Sequence, residues 1–305
     1  MIIVTGASGQ FGRALATLLV DRAPGQVILT SRKPEALADF AARGATVRFA
    51  DFDDPASLDA AFVGGTRMML ISTARVGTRV GQHINAMTAA VKAGVRHIAY
   101  TSLLGVRAPG NPAIVKLDHL ATEEALERSG AAWTFLRDSQ YAEAVAGAIV
   151  PSAILNGGFT DNAGDGRIAF VSREDCVACA AAVLTGEGHE NRAYDMTGPE
   201  LLTIEKGVAL AAELIGHPLP VTQASDEAMF AAFDALGVPR HASDIVPSGP
   251  IPWSSDDMVT FGQSIREGFF DVLSGDVERL AGRPATPLID VLRAFQPSWP
   301  AAAAA

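Results

Sequence analysis

The chain lacks the features that would direct it to a membrane, out of the cell or onto nucleic acid. It contains no run of about twenty apolar residues, so no membrane span is expected. No basic region precedes an apolar stretch at the start, so the first residues do not read as a signal peptide. Basic residues are outnumbered, 24 against 34 acidic ones, for a formal net charge of −10. That balance argues against nucleic acid or an anionic membrane as the main partner, and leaves room for one or two arginines at a local phosphate site. Cysteine is nearly absent. The two present, Cys176 and Cys179, have a C-x-x-C spacing that invites a redox or metal reading. They lie in the apolar, helix-like run REDCVACAAAVL, with no second cysteine pair. Inert helix cysteines are the expectation, no metal is expected, and a cytoplasmic location fits. Disorder is not expected in a chain that is 49% hydrophobic, and 305 residues suffice for one large and one smaller domain.

What is present begins at the first residue. Met1 to Thr5 are apolar or β-branched, as in a short buried strand. Gly6-Ala7-Ser8-Gly9-Gln10-Phe11-Gly12 follows at once, and RALATLLVDR then repeats apolar residues at helical spacing. Strand, glycine turn and helix together suit a dinucleotide. Gly6 permits a tight turn, Gly9 lets the backbone approach a pyrophosphate, and Gly12 lets the helix lie close to the sheet. The helix N-terminus then offers N–H groups and partial positive charge to the diphosphate. A glycine trio alone is weak; its position between a strand and a helix gives it weight.

Gln26–Thr30 reads as a second strand, followed by Arg32, Lys33 and Pro34 and then a helix through about Arg43. An NAD-preferring fold places an acid here for the ribose hydroxyls. This chain has none, and the two cations suit a 2′-phosphate, so NADPH (NADP+) is the expected cofactor. The plainer alternative is a pair of solvated charges opening a loop. A third strand, Thr46–Ala50, ends in Asp51 and Phe52. Asp51 can accept from the adenine amino group and Phe52 can pack on its ring; Asp51 can equally cap the turn before Pro55. A fourth strand, Arg67–Ile71, ends at Ser72 against the cofactor. Gly81–Ala93 reads as a helix carrying His83, which suits packing as well as ligand contact. His97–Tyr100 is a fifth strand, and Thr101, Ser102 and Leu103 follow at the edge that lines nicotinamide and substrate. A helix over Ala113–Ser129 and a strand over Trp133–Arg137 complete the repeating βα pattern.

Beyond Arg137 the periodicity loosens. One or two short helices precede a turn at 164–166 and a short strand over Arg167–Val171. Then come a helix at Asp175–Leu184, a strand at Arg192–Met196, a helix from Thr203 to Ile215, a strand at Pro220–Thr222 and a helix at 226–236. Residues 237–256 read as a loop or lid rich in Gly, Pro and Ser. A short helix within Met258–Val272, a helical turn near Asp276 and a last helix over Pro287–Phe295 follow. The fold class expected is α/β: a Rossmann-type doubly wound parallel sheet with a smaller, mixed C-terminal substrate-side domain. Residues 1–155 would form the NAD(P)-binding domain, and 156–300 the smaller α/β region with some elements packing back. The alanine tail 301–305 carries no pattern.

The runs TGASGQFG, SRKPE, DFDDPASL, AGVRHIAYTSLLG, HLATEEAL, TFLRDSQY and GEGHENRAYDMTG stand in the order of a known family. The chain resembles the NmrA-like atypical short-chain dehydrogenase/reductases, and within them the NADPH:quinone oxidoreductase type 2 and triphenylmethane reductase branches. The resemblance covers residues 1–236, resumes weakly from Asp276 to Phe295, and departs over 237–270. It implies that Gly6, Ser8, Gly9, Gln10 and Phe11 wrap the diphosphate and that Arg32 holds the 2′-phosphate. It implies further that Asp51 and Phe52 flank adenine, and that Ser72, Thr101, Ser102 and Leu103 line ribose and nicotinamide. Tyr141 would face the substrate, where it can donate a proton or stack on a planar ring. Relatives carry Asn where this chain has Asp138.

Ordinary short-chain dehydrogenases use a Tyr-x-x-x-Lys pair on the helix after the fifth strand. Here Val115 falls at the tyrosine position and His119 at the lysine position. A simple ketone needs a proton as charge builds on its oxygen. A quinone needs less help, because aromatisation and a delocalised phenolate carry much of the change. The gap therefore agrees with electron-poor acceptors held over the nicotinamide. His119 can hydrogen-bond the ribose or carboxamide, or simply pack; Lys116, three residues earlier, can supply charge or stay solvated. Tyr141, His119 and Lys116 are the catalytic candidates. The expected activity is hydride transfer from NADPH to a quinone or similar conjugated or aromatic acceptor, and a homodimer is compatible with it. The alternatives are an NADP(H)-binding redox-sensing regulator, or a carbonyl, imine or alkene reductase.

Overall fold

The computed structural model of the protein describes residues 1–244 and 253–301. In the first half, strands and helices alternate as the sequence pattern demands. The elements are β1 (Ile2–Val4), α1 (Gln10–Arg22), β2 (Val27–Ser31), α2 (Ala38–Ala42), β3 (Thr46–Phe49), α3 (Pro55–Ala61), β4 (Arg67–Leu70), α4 (Arg79–Lys92), β5 (His97–Leu103), α5 (Val115–Glu127) and β6 (Ala132–Asp138). The second half holds α6 (Ala142–Ala144), α7 (Val150–Asn156), β7 (Phe159–Asp161), α8 (Arg173–Thr185), β8 (Arg192–Met196), α9 (Ile204–Ile215), β9 (Val221–Gln223), α10 (Asp226–Ala235), α11 (Ser255–Arg266), α12 (Asp276–Ala281) and α13 (Leu288–Phe295).

Seven strands form one sheet in the order β3-β2-β1-β4-β5-β6-β8. The pairs from β3 through β5 are parallel, with Ile3 opposite Ile28 on one side and Met68 on the other. The order reverses at β1, so β1 and β4 flank the switch point where α/β sheets take their ligands. Both faces are covered. Ile3, Ile28, Met68 and Ile98 pack on one face with Leu58 of α3, Met87 of α4 and Leu126 of α5. The alternate residues Val4, Leu29, Met69 and Ala99 are equally buried. That is why these strands read as continuous apolar runs. Each such side chain adds roughly 1.5–3 kcal/mol when fully buried.

The chain divides into two compact units that interleave along the sequence. One comprises Met1–Leu103, Asp118–Arg137 and Cys176–Tyr194; the other Leu104–Leu117, Asp138–Asp175 and Asp195–Ala305. The second unit is held by polar stitches. Asn162 Nδ2 donates to Asp226 Oδ1 (2.8 Å) and Val259 O (2.9 Å), and the Arg266 guanidinium grips Asp226 with two bonds. Gly262 of α11 leaves the room Asn162 needs, since a Cβ there would lie 2.0 Å from Asn162 Oδ1. The fully buried Asp175 binds Arg283 (2.6 Å) and the Thr286 N–H (2.7 Å), fixing the approach to α13.

Most elements match the sequence reading, with exceptions, the first being α3, which has no counterpart in it. The strand expected over Arg167–Val171 is reduced to two isolated bridges, Ile168 with Leu202 and Val171 with Tyr141. The strand β7, which pairs with β9, has no counterpart in the reading; three residues are too few to show a period. The helix expected after Pro34 is a 3₁₀ turn, Pro34–Leu37, followed by the short α2. The expected lid lies partly outside the described residues, at 245–252, as do alanines 302–305 of the tail. Cys176 and Cys179 lie on α8 with no exposure at all. Among the described residues no group of His, Cys, Asp or Glu is arranged to hold a metal, and no helix is long and apolar enough to cross a membrane.

Candidate functional site

The glycine turn leads from β1 into α1. Gly6 sits at φ +57°, and the Gly9 N–H closes the turn on Gly6 O at 2.9 Å. Gly12 has no alternative residue. A Cβ there would stand 2.4 Å from Gly6 O and 2.8 Å from Ala7 Cα, both backbone atoms. Gly9 caps α1 in extended conformation, and no side chain bonds to that helix end. Gly6, Ser8, Gly9 and Gln10 are exposed, while Phe11 turns inward and is buried. Open first-turn N–H groups beside a glycine-spaced turn suit a dinucleotide diphosphate. The Ser8 hydroxyl meets that of Ser31 at 2.8 Å, which ties the turn to the end of β2. Arg32 follows there, exposed, with no hydrogen bond or ion pair among the described residues. Asp51 is half-buried; its Oδ1 accepts the Asp53 N–H at 3.1 Å, the turn-capping role. Phe52 packs against the core beneath it.

The loop after β4 has a different construction. Side chains, not backbone, satisfy its polar groups. The Ser72 N–H donates to Thr101 Oγ1 at 2.7 Å, and the Thr73 N–H to His83 Nε2 at 3.1 Å. Arg79, at the start of α4, donates from Nη1 to Ser72 Oγ (3.0 Å) and to Thr73 O (3.2 Å). Its Nε donates to Asp118 Oδ2 at 3.1 Å, and the same oxygen accepts the Gly77 N–H at 2.6 Å. Arg79 and Asp118 are both buried.

Beneath this loop lies a polar cluster with no mobile proton. The Thr122 hydroxyl donates to Asp118 O, so His83 must donate its Nδ1 proton to Thr122 while Nε2 accepts. His83 is therefore neutral. Burial first, and then the Arg79 charge, push its pKa down to about 3. His119 lies between the Arg79 guanidinium, 3.5 Å from Nε2, and the Tyr100 hydroxyl, 2.9 Å from Nδ1. Burial, then Arg79, then His83 hold it well below the ordinary histidine range. Burial raises Tyr100 to about 12. Ser102, on the same strand face as Tyr100, donates to Glu123 Oε1 at 2.7 Å, and Glu123 is gripped twice by Arg137. Thus Thr101 turns its hydroxyl to the Ser72 backbone, Ser102 is committed to the interior, and Leu103 ends the strand half-buried.

The other two catalytic candidates belong to the second unit. Lys116 is half-buried, with Nζ donating to Ala108 O at 3.2 Å. Tyr141 donates its hydroxyl proton to Asp138 Oδ2 at 2.6 Å, and the Arg173 guanidinium lies 5.2 Å over its ring. The sequence reading missed Arg79, Tyr100 and Asp118. The available signal was weak: a charged or polar residue at a helix position or strand face that is otherwise apolar.

Known proteins resemble this chain in sequence and fold. The family model described as NAD(P)H-binding matches residues 6–187. Quinone oxidoreductase 2 of Escherichia coli is 35% identical over 291 residues, which cover 95% of this chain and 96% of that protein. The crystal structure of the NADPH-dependent quinone oxidoreductase of E. coli complexed with NADPH has a TM-score of 0.87 at 33% identity, covering 97% of this chain and 100% of that one. Triphenylmethane reductase from Citrobacter sp., complexed with NADP(H), has a TM-score of 0.84 at 29% identity, with 97% and 100% covered. Matched by that family model over more than half its length and by quinone oxidoreductase 2 over 95% of it, the chain belongs to the NmrA-like, quinone-oxidoreductase family of NAD(P)H-binding proteins.

Proposed function

We propose that the chain is an NADPH-dependent reductase that passes hydride to a quinone or a similarly conjugated, electron-poor acceptor in the cytoplasm. One observation carries this reading. At the position of the missing lysine stands His119, buried, neutral and closed in by Arg79 and Tyr100. In the same cluster His83 is also neutral, and burial holds the Tyr100 proton more tightly than in water. Bound NADPH would supply the hydride. The glycine turn and the N–H groups of α1 would bind its diphosphate, and Arg32 its 2′-phosphate. An acceptor that delocalises the incoming charge needs only to be held in place and shielded from water. Tyr141 is assigned to the acceptor by resemblance, and a second copy of the chain is compatible with this function.

The test is a reduction screen with NADPH and NADH over quinones, dyes, enones, imines and ketones. Turnover of quinones with NADPH is expected, and turnover confined to ketones would overturn the reading. The immobile cluster also suits a redox-sensing regulator that binds NADP(H) without turnover. A single-turnover experiment with bound NADPH separates the two, since a regulator leaves the cofactor reduced with every acceptor.

A further inference from the structure

We infer that Arg79 is a positioning residue for the nicotinamide half of the cofactor, acting through the Ser72–Thr73 step. The inference rests on the reductase reading and on Ser72 lining the cofactor. The geometry behind it is local and complete. Within two residues after β4, five polar groups are each met by a side chain from elsewhere: the Ser72 N–H by Thr101, Ser72 Oγ and Thr73 O by Arg79, the Thr73 N–H by His83, and Thr73 Oγ1 by Gln82. Arg79 alone takes two of them. Asp118 holds Arg79 from behind and pins the far side of the loop through the Gly77 N–H.

A buried ion pair is weak support for stability, because apolar residues of the same volume do as well or better. The donors of Arg79 are spent instead on the shape of one backbone step. Arg79 also comes within 3.5 Å of His119, the residue at the missing lysine's position. The buried positive charge of this cluster thus stands at the start of α4, beside the α5 histidine. From there it orients Ser72 and does not itself touch the reacting atoms. Its planar fork meets Asp118 from Nε and the Ser72–Thr73 step from Nη1, two separated nitrogens that a compact lysine ammonium does not have.

The test measures NADPH and NADH dissociation constants alongside KM for both substrates. In Arg79→Met both cofactors are expected to weaken together, by roughly 10- to 100-fold, the loss of hydrogen bonds from a charged donor. They share the nicotinamide half, so neither is spared. KM for the cofactor rises more than KM for a quinone, and Arg79→Lys recovers part of the loss. Unchanged affinities in an Arg79→Met protein that melts like wild type overturn the inference and leave the reductase reading intact. So does weakening of NADPH alone. If Arg79→Met does not fold, Arg79→Lys and Asp118→Asn carry the same test, and unchanged affinity in both overturns the inference. A wild-type protein that binds no NADPH overturns the reductase reading, and the inference falls with it.

Discussion

The glycine turn before α1 and the loop after β4 border the same switch point and are built in opposite ways. The turn is glycine-spaced and exposed at Gly6, Ser8, Gly9 and Gln10, and among the described residues no side chain is bonded to the helix end. The loop is strapped from beneath by Thr101, His83, Gln82, Arg79 and Asp118. One region leaves donors open for a ligand; the other has spent its groups on itself. A binding surface and a rigid wall need these two constructions, and a family can vary its chemistry in the second while keeping the first.

Acid should break the wall before the turn. His83 and His119 are buried neutral with pKa values lowered chiefly by burial, His83 to about 3. For His83 the unfolded chain therefore binds more protons than the folded one between pH 3 and 6.5, and His119 acts in the same direction below pH 6.5. Stability from these groups is complete above pH 6.5 and falls as pH drops, by up to about 1.4 kcal/mol per pH unit for each histidine. Urea midpoints at pH 7, 5.5 and 4.5 check this, and a flat profile would show that the cluster is not buried neutral. Gly12→Ala attacks the turn instead. Its Cβ would meet backbone at 2.4 Å, so a loss of about 1–3 kcal/mol and weaker NADPH binding are expected. Thermal melting and cofactor titration measure the two effects. Arg32→Ala should weaken NADPH by about tenfold or more and spare NADH, as removal of a charge-assisted contact predicts. Equal losses would remove the 2′-phosphate assignment. The smallest effect expected is that of Tyr141→Phe, a fall in turnover of about tenfold or less. A fall nearer the full 10²–10⁴ of general acid catalysis would make Tyr141 a true proton donor.

The two regions were not equally legible in the sequence. Gly6, Gly9 and Gly12 act through neighbours within seven residues, so their spacing alone announces the turn. The strands were legible for a similar reason, since burial on both faces writes unbroken apolar runs such as MMLI. Arg79 and Asp118 are 39 positions apart, and Ser72 and Thr101 are 29 apart. Nothing local marks such pairs. The same limit explains Ser102, whose place on β5 suggested the nicotinamide while its partner, Glu123, lies 21 residues later on α5. For His119 the reading left two roles open, and the bonds to Arg79 and Tyr100 account for its burial.

The C-x-x-C pair has a consequence for a protein that handles quinones. Quinones are electrophiles that add to exposed thiolates and arylate them, disabling many proteins that meet them. This chain has two cysteines, and α8 encloses both completely. In its native state it offers its own reactants no sulfur to attack, so self-inactivation by that route would have to wait for unfolding.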